Sequence, residues 1–301
     1  MENIRSYPAK LLLFGEHVLL RGAPALAIPL HTYGGQWAWR PTPDRHHERL
    51  QQFARSKELE QVSGLDTAAF IRDLSKGLFF QSNIPTGYGL GSSGALCAGV
   101  YDRYVSDKTA DLAALKAIFA RMESFFHGNS SGIDPLTSYV AAPVLLESAQ
   151  QLQTVPFPVW DTPAPVVFLL DTRLPRRTGP LGEWFLAQCA TPEFGGMLDN
   201  SYLPAHAAML QGWLSADAEK FWSNLHRISS LQFEFFIPMV PATLRQLWEK
   251  SLSESAFKLK ICGAGGGGFM LGFARNQQTA EELKANFSMI LVNEGNSDID
   301  T

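Results

Sequence analysis

The chain reads as an α+β protein built from two packed lobes, and three observations carry that expectation. Its 301 residues exceed the usual size of a single domain. Apolar strand-like runs interleave with helical patterns, and neighbouring runs are spaced as antiparallel pairs rather than as a doubly wound sheet. A proline-rich stretch, Val155 to Pro165, divides the pattern. The expected division gives a first lobe over 1–160 and a second over 161–301.

The elements follow in order. Lys10 to Gly15 is a short buried strand ending at glycine, Ala25 to Leu30 a second, and Thr32 to Trp39, rich in aromatics, a third. Residues 41–63 are polar and charged and predict a surface excursion with some helix. Asp66 to Leu74 predicts a short helix running into the strand Gly77 to Ser82. Residues 107–123 have apolar positions at helical spacing, with Asp107 or Thr109 as cap, and the glycines from Gly128 to Gly132 break that helix. Pro143 to Leu146 resumes strand character. Beyond the prolines, Val166 to Asp171 is a strongly apolar strand. Helical patterns occupy Leu181–Ala190, Ser201–Leu214, Ala216–Phe236 and Ala242–Glu254. Two strands, Phe257 to Cys262 and Gly268 to Ala274, flank a glycine run.

Composition excludes several classes of function. Hydrophobic residues make up 46% and charged residues 18%, which suits a globular protein and not a disordered one. The net charge is −4 and no run of Lys and Arg appears, so no nucleic-acid surface is expected. The apolar run Leu11 to Phe14 is cut at once by Glu16 and His17, so neither a signal peptide nor a membrane span is expected. Cys97, Cys189 and Cys262 match no metal spacing and no disulfide framework, and point to a reducing cytoplasm. Trp184, Trp213, Trp222, Phe233, Phe235 and Phe236 belong either to the core or to a homodimer patch.

Four segments carry candidate chemistry. In Pro85-Thr-Gly-Tyr-Gly-Leu-Gly-Ser-Ser-Gly-Ala95, a glycine-rich loop feeds a helix. Backbone N–H groups and the helix dipole there favour an anion, usually phosphate. Ser92 and Ser93 add hydroxyls suited to phosphate or its Mg²⁺; a serine-capped tight turn is the plainer reading. In Pro8-Ala-Lys-Leu-Leu-Leu-Phe-Gly-Glu-His17, Lys10 sits at the head of a hydrophobic strand, where it needs a partner. Glu16 and His17 stand at the strand end; a surface lysine and a solvated turn would look the same. In Glu123 to Asp134, one carboxylate lies near a helix C-terminus, where a cation would offset the dipole. The other follows a Gly/Ser loop, and together they suit phosphoryl transfer. The fourth, Lys260 to Met270, is a strand–glycine–strand pattern that is either a hinge or a close backbone approach. It has neither a dinucleotide fingerprint nor a Walker ending.

Pro85 to Ala95, Pro8 to His17 and Gly263 to Gly268 resemble the three signature motifs of the GHMP kinases, the galacto-, homoserine, mevalonate and phosphomevalonate kinases. The resemblance spans nearly the whole chain in the right order. Within the family, Phe-Gly-Glu-His17 with Glu123 and His127-Gly-Asn-Ser-Ser-Gly-Ile-Asp134 is most similar to the mevalonate-kinase branch in a compact form, as is Asp171-Thr-Arg-Leu-Pro-Arg-Arg-Thr178.

The resemblance implies a fold with an N-terminal lobe like the second domain of ribosomal protein S5 and a ferredoxin-like C-terminal lobe. It implies an ATP- and Mg²⁺-dependent kinase acting on the primary hydroxyl of a small alcohol. Gly87, Gly89, Leu90, Gly91, Ser92, Ser93 and Gly94 would cradle the ATP phosphates, and Ser93 and Glu123 would hold Mg²⁺. Asp134 would orient or deprotonate the acceptor hydroxyl, with Lys10 beside it neutralising developing charge. Glu16, His17 and Thr178 would line the acceptor pocket. Arg176 or Lys10 would offer a cation to a substrate carboxylate, and the glycine run 263–268 would pack beneath the phosphate loop and the substrate, with Gly263, Ala264 and Gly265 on the substrate.

The chain departs from the family pattern at Tyr88, Gly94, Leu96, Ser130 and Pro135. A sugar or other small-alcohol kinase of the same fold is the alternative, and a non-catalytic nucleotide-binding protein a further one. No membrane or nucleic-acid partner is expected.

Overall fold

The structure, a computed structural model, describes residues 5–40, 45–148, 151–175 and 178–292. The first sheet contains β1 (Tyr7–Phe14), β2 (Ala25–Trp39), β3 (Leu78–Ser82), β4 (Val144–Leu146) and β5 (Leu152–Thr154), ordered β1-β2-β4-β5 with β3 also pairing to β2. The helices of this half are α1 (Arg45–Ala54), α2 (Lys57–Glu60), α3 (Thr67–Ser75), α4 (Ser92–Tyr104), α5 (Leu112–His127) and α6 (Ile133–Val140). The second sheet has order β7-β8-β6-β9, from β6 (Val166–Asp171), β7 (Phe257–Ile261), β8 (Phe269–Ala274) and β9 (Met289–Leu291), all antiparallel. Around it lie α7 (Thr178–Cys189), α8 (Pro192–Met197), α9 (Leu203–Leu214), α10 (Ala218–Phe235), α11 (Arg245–Ser253) and α12 (Gln277–Asn286).

The mixed, antiparallel architecture is the α+β arrangement expected from the sequence. Several local readings need correction. The two strands expected at 25–30 and 32–39 are one strand, β2. Its pairing with β1 jumps from Leu30 to Gly34 at a bulge, so His31 and Thr32 turn outward while the backbone stays extended. Residues 45–62 are not merely a surface excursion: Leu50, Phe53, Ala54, Leu59 and Val62 are buried, with Phe53 against Phe125 and Phe126. Helix α5 starts later than expected because Asp111, not Asp107 or Thr109, caps it by accepting from the Ala113 and Ala114 N–H groups. It ends later too, at His127, where Gly128 takes a positive φ. Helices α6 and α12 had no periodic apolar signal; α6 is short and carries Pro135, and α12 is polar and half exposed.

One core joins the two halves. Phe14, at the end of β1, packs against Trp213 and Phe273 from the second half, with Trp160 and Phe221 beside them. Trp213, Trp222 and Phe236 are therefore core residues, as one of the two sequence readings held. Among the described residues no helix is long and apolar enough to cross a membrane.

Candidate active site

Strand β1 is an edge of its sheet, so its outward backbone groups are free to anchor other elements. The Lys10 N–H donates to the Leu90 carbonyl at 2.9 Å, docking the glycine loop on the strand. Two residues away, the Pro8 carbonyl accepts from the Ser138 hydroxyl at 2.6 Å, docking α6. Lys10 lies between these anchors, 8% exposed, and its Nζ meets Asp134 Oδ1 at 2.6 Å. This supplies the partner that the buried lysine demands. Asp134 stands in the first turn of α6, after Gly132, where the helix dipole favours a carboxylate. Proline is tolerated in a first helical turn, which accommodates Pro135.

The glycine loop meets this pair from the other side. Gly87, Gly89 and Gly91 all have positive φ. Gly91 is the N-cap of α4 and has no side chain to accept from the first-turn N–H groups, which leaves them for a ligand. A Cβ on Gly91 would lie 3.2 Å from Asp134 Cβ and 3.3 Å from its Oδ2, so the loop runs directly over the carboxylate. Gly94 is tighter: a Cβ there would lie 2.7 Å from Pro135 N and 2.8 Å from the Asp134 carbonyl carbon. Glycine at 94 is thus a packing requirement of the α4–α6 contact.

Ser93 and Glu123 come together as expected. Ser93 Oγ donates to Glu123 Oε1 at 2.8 Å, and Ser130 Oγ lies 2.5 Å from Oε2. Glu123 is 5% exposed. Burial raises its pKa, as does the charge of Asp134, while the Ser130 and Ser93 hydrogen bonds and Lys10 pull the other way. The donor set of one carboxylate and one hydroxyl is hard oxygen, suited to Mg²⁺ shared with phosphate oxygens. Among the described residues, no cluster of three or more His, Cys, Asp or Glu would hold a metal unaided.

His127 and Ser130 were quoted in the sequence motif without a role. His127 Nε2 lies 2.9 Å from Ser93 Oγ, so the hydroxyl touches both Glu123 and His127. The signal was available: Glu123 and His127 are four residues apart on one helical face.

Of the residues expected to line the acceptor, His17 and Ala264 meet, with His17 Nε2 3.1 Å from the Ala264 carbonyl and the His17 ring 5.1 Å from that of Phe185. His17 takes a positive φ of 60°, a strained conformation for a residue with a side chain. Glu16, expected to line a pocket, is buried instead. It is 3% exposed, and its Oε1 is 2.6 Å from Lys260 Nζ, itself 1% exposed. Burial pushes the Glu16 carboxyl up, against the pull of the Lys260 ammonium. Lys260 was missed although its signal matched that of Lys10, a lysine inside an apolar strand. The glycine run is pinned in its own half: Gly266 N donates to Met239 O at 2.8 Å and Gly268 N to Leu174 O at 2.8 Å. Arg176 lies outside the described residues, as does the side chain of Thr178, whose backbone opens α7.

Comparison with known proteins agrees with this geometry. The GHMP kinases N terminal domain matches residues 54–141 and the GHMP kinases C terminal domain residues 205–289. The chain is 25% identical over 313 residues to mevalonate kinase of Pyrococcus abyssi, covering 91% of this chain and 89% of that one. To mevalonate kinase of Pyrococcus furiosus it is 26% identical, covering 92% and 91%. Among solved structures, L. major mevalonate kinase in complex with R-mevalonate is similar with a TM-score of 0.67 and 15% identity, over 97% of this chain and 95% of that one.

Proposed function

Because the chain belongs to the GHMP kinase family, we propose that it transfers the γ-phosphoryl group of ATP to the primary hydroxyl of mevalonate, giving 5-phosphomevalonate and ADP. The observation that carries this reading is the Lys10–Asp134 pair at 2.6 Å, set directly under the glycine loop. The acceptor assignment is supported by relatives named mevalonate kinase that match nine-tenths of the chain.

In this reading the N-terminal N–H groups of α4 and the loop 87–94 hold the triphosphate, in a first lobe that ends near 160. Ser93 and Glu123 would hold Mg²⁺, which supplies charge neutralisation across the phosphates. Asp134 orients the acceptor hydroxyl and takes its proton as the oxygen attacks. Lys10, fixed at both backbone and side chain, holds positive charge where negative charge develops on the transferred group. Little covalent chemistry is asked of the protein, and most of the rate comes from placing the two reactants in line. His17 and Gly263 to Gly265 would line the acceptor pocket; Thr178 is assigned to the same pocket by the family resemblance, which also gives Arg176 or Lys10 as the cation for the acceptor carboxylate. Buried Glu16 acts through Lys260.

A coupled ADP-release assay with mevalonate, phosphomevalonate, homoserine and galactose side by side tests the assignment. Turnover with mevalonate alone is expected. Turnover with galactose or homoserine in its place would move the chain to another branch of the family.

A further inference from the structure

The phosphate loop carries one residue that its suggested chemistry does not use. Tyr88 stands among the glycines, half-buried, and its side chain reaches across to the second sheet. Its hydroxyl donates to Asp171 Oδ1 at 3.4 Å, and its ring lies 4.8 Å from that of Phe269. Asp171 and Phe269 are themselves partners, opposite each other on β6 and β8. Tyr88 thus grips one register pair of the other half of the molecule.

What it grips leads towards the acceptor. Asp171 Oδ1 also accepts from the Arg173 N–H at 2.8 Å, holding Arg173 at a positive φ of 55°. Thr172 Oγ1 donates to Gly268 O at 2.7 Å and accepts from the Leu174 N–H at 3.2 Å. The next residue, Pro175, packs on Gly267 of the glycine run, whose Ala264 carbonyl meets His17. Segment 171–175 is therefore a tight turn whose first carboxylate is shared between its own backbone and the phosphate loop. The Asp171 charge raises the Tyr88 pKa, which keeps the phenol protonated as a donor.

We propose that Tyr88 is a positioning residue that couples the phosphate loop to the 171–175 turn, so that nucleotide seated on the loop orders the acceptor side of the cleft. The inference rests on the kinase reading above. Its physical content is one hydrogen bond and one ring contact between the loop and the second sheet. By thermodynamic reciprocity, an acceptor seated by the turn strengthens nucleotide binding by the same factor.

Amide hydrogen exchange with and without a non-hydrolysable ATP analogue and Mg²⁺ tests it. In the wild-type protein the analogue is expected to slow exchange in 87–95 and also at Arg173 and Leu174. In Tyr88→Ala the slowing at 87–95 remains and that at 173–174 disappears. In Tyr88→Phe, which keeps the ring contact, it falls by roughly two- to fivefold, the scale of one net hydrogen bond. Calorimetry of Tyr88→Ala should show acceptor affinity reduced several-fold for the protein loaded with the ATP analogue and within about twofold of wild type for the nucleotide-free protein; general loosening would weaken both. Undiminished slowing at 173–174 in Tyr88→Ala overturns the proposal, as does a wild-type protein in which only 87–95 responds. No response in either segment would defeat the nucleotide reading and this inference together. A full coupled response with no turnover on mevalonate would defeat only the acceptor assignment.

Discussion

Gly94→Ala adds one methyl group where two helices touch. The new Cβ would lie 2.7 Å from Pro135 N and 2.8 Å from the Asp134 carbonyl carbon, against at least 3.4 Å for an ordinary contact. About 0.7 Å must be found, and it must come from the backbone of α4 or α6, because two of the clashing atoms are main chain and the third, Asp134 Cβ at 2.9 Å, is fixed to it. Two energies compete. Alanine in place of glycine favours the helix by about 1 kcal/mol, while overpacking costs about 1–3 kcal/mol. The net loss of stability is therefore small, about 0–2 kcal/mol. Turnover is far more exposed. The clash pushes on the residue that carries the Asp134 carboxylate, and a misplacement of about 1 Å in a reacting group costs on the order of 10²-fold. Gly94→Ala should retain a cooperative thermal transition and lose roughly ten- to a hundredfold in kcat, with KM for ATP moving less. Thermal denaturation and steady-state kinetics on the same preparation measure both. A variant with wild-type kcat would refute the argument that α6 places Asp134 through this contact.

Asp134→Asn keeps the shape of the side chain and removes the base; kcat should fall by roughly 10²–10⁴-fold while calorimetry gives nearly unchanged affinity for an ATP analogue. An undiminished rate would take Asp134 out of the mechanism. Lys260→Met strands the buried Glu16 carboxylate and should cost about 3–5 kcal/mol in chemical denaturation; a loss under about 1 kcal/mol would mean the pair adds little. His206, whose Nε2 lies 2.8 Å from the Pro24 carbonyl, has its pKa lowered by burial to about 4 from 6.5. With the folded-state pKa depressed, its contribution is fully present above pH 6.5 and lost as pH falls towards 4. The loss comes to about 2 kcal/mol by pH 5 and about 3 kcal/mol below pH 4. Comparing urea denaturation of wild type and His206→Gln across pH 7.5 to 4.5 isolates it, and parallel pH profiles would contradict the assignment.

Much of the machinery is legible along the chain because each piece is local. A glycine loop that must turn and then start a helix announces itself by composition within eleven residues, and so do a lysine inside an apolar run and an acid following a glycine break. These patterns mark Lys10, Ser93, Glu123 and Asp134 without any knowledge of how they meet. Most of the sheet content was equally legible, since strand runs such as Val166 to Leu170 are apolar throughout. The excursion at 45–62 was misread because α1 is polar on average, so the few apolar residues on its buried face, Leu50, Phe53 and Ala54, are outnumbered by charged and polar ones.

What the sequence alone determined is therefore the inventory: which residues can bind an anion, hold a cation or accept a proton, and the order in which they come. The tertiary structure decided the pairings. Lys260 and Glu16 meet across 244 residues, and Tyr88 reaches Asp171 across 83. Such contacts leave no periodic trace, because a buried charge requires a counter-charge but places no constraint on where in the chain that partner lies. Folding also settled that Gly94 must be bare and that Ser130 and His127 attend the Glu123–Ser93 pair, since only the close crossing of α4, α5 and α6 brings those atoms within bonding distance.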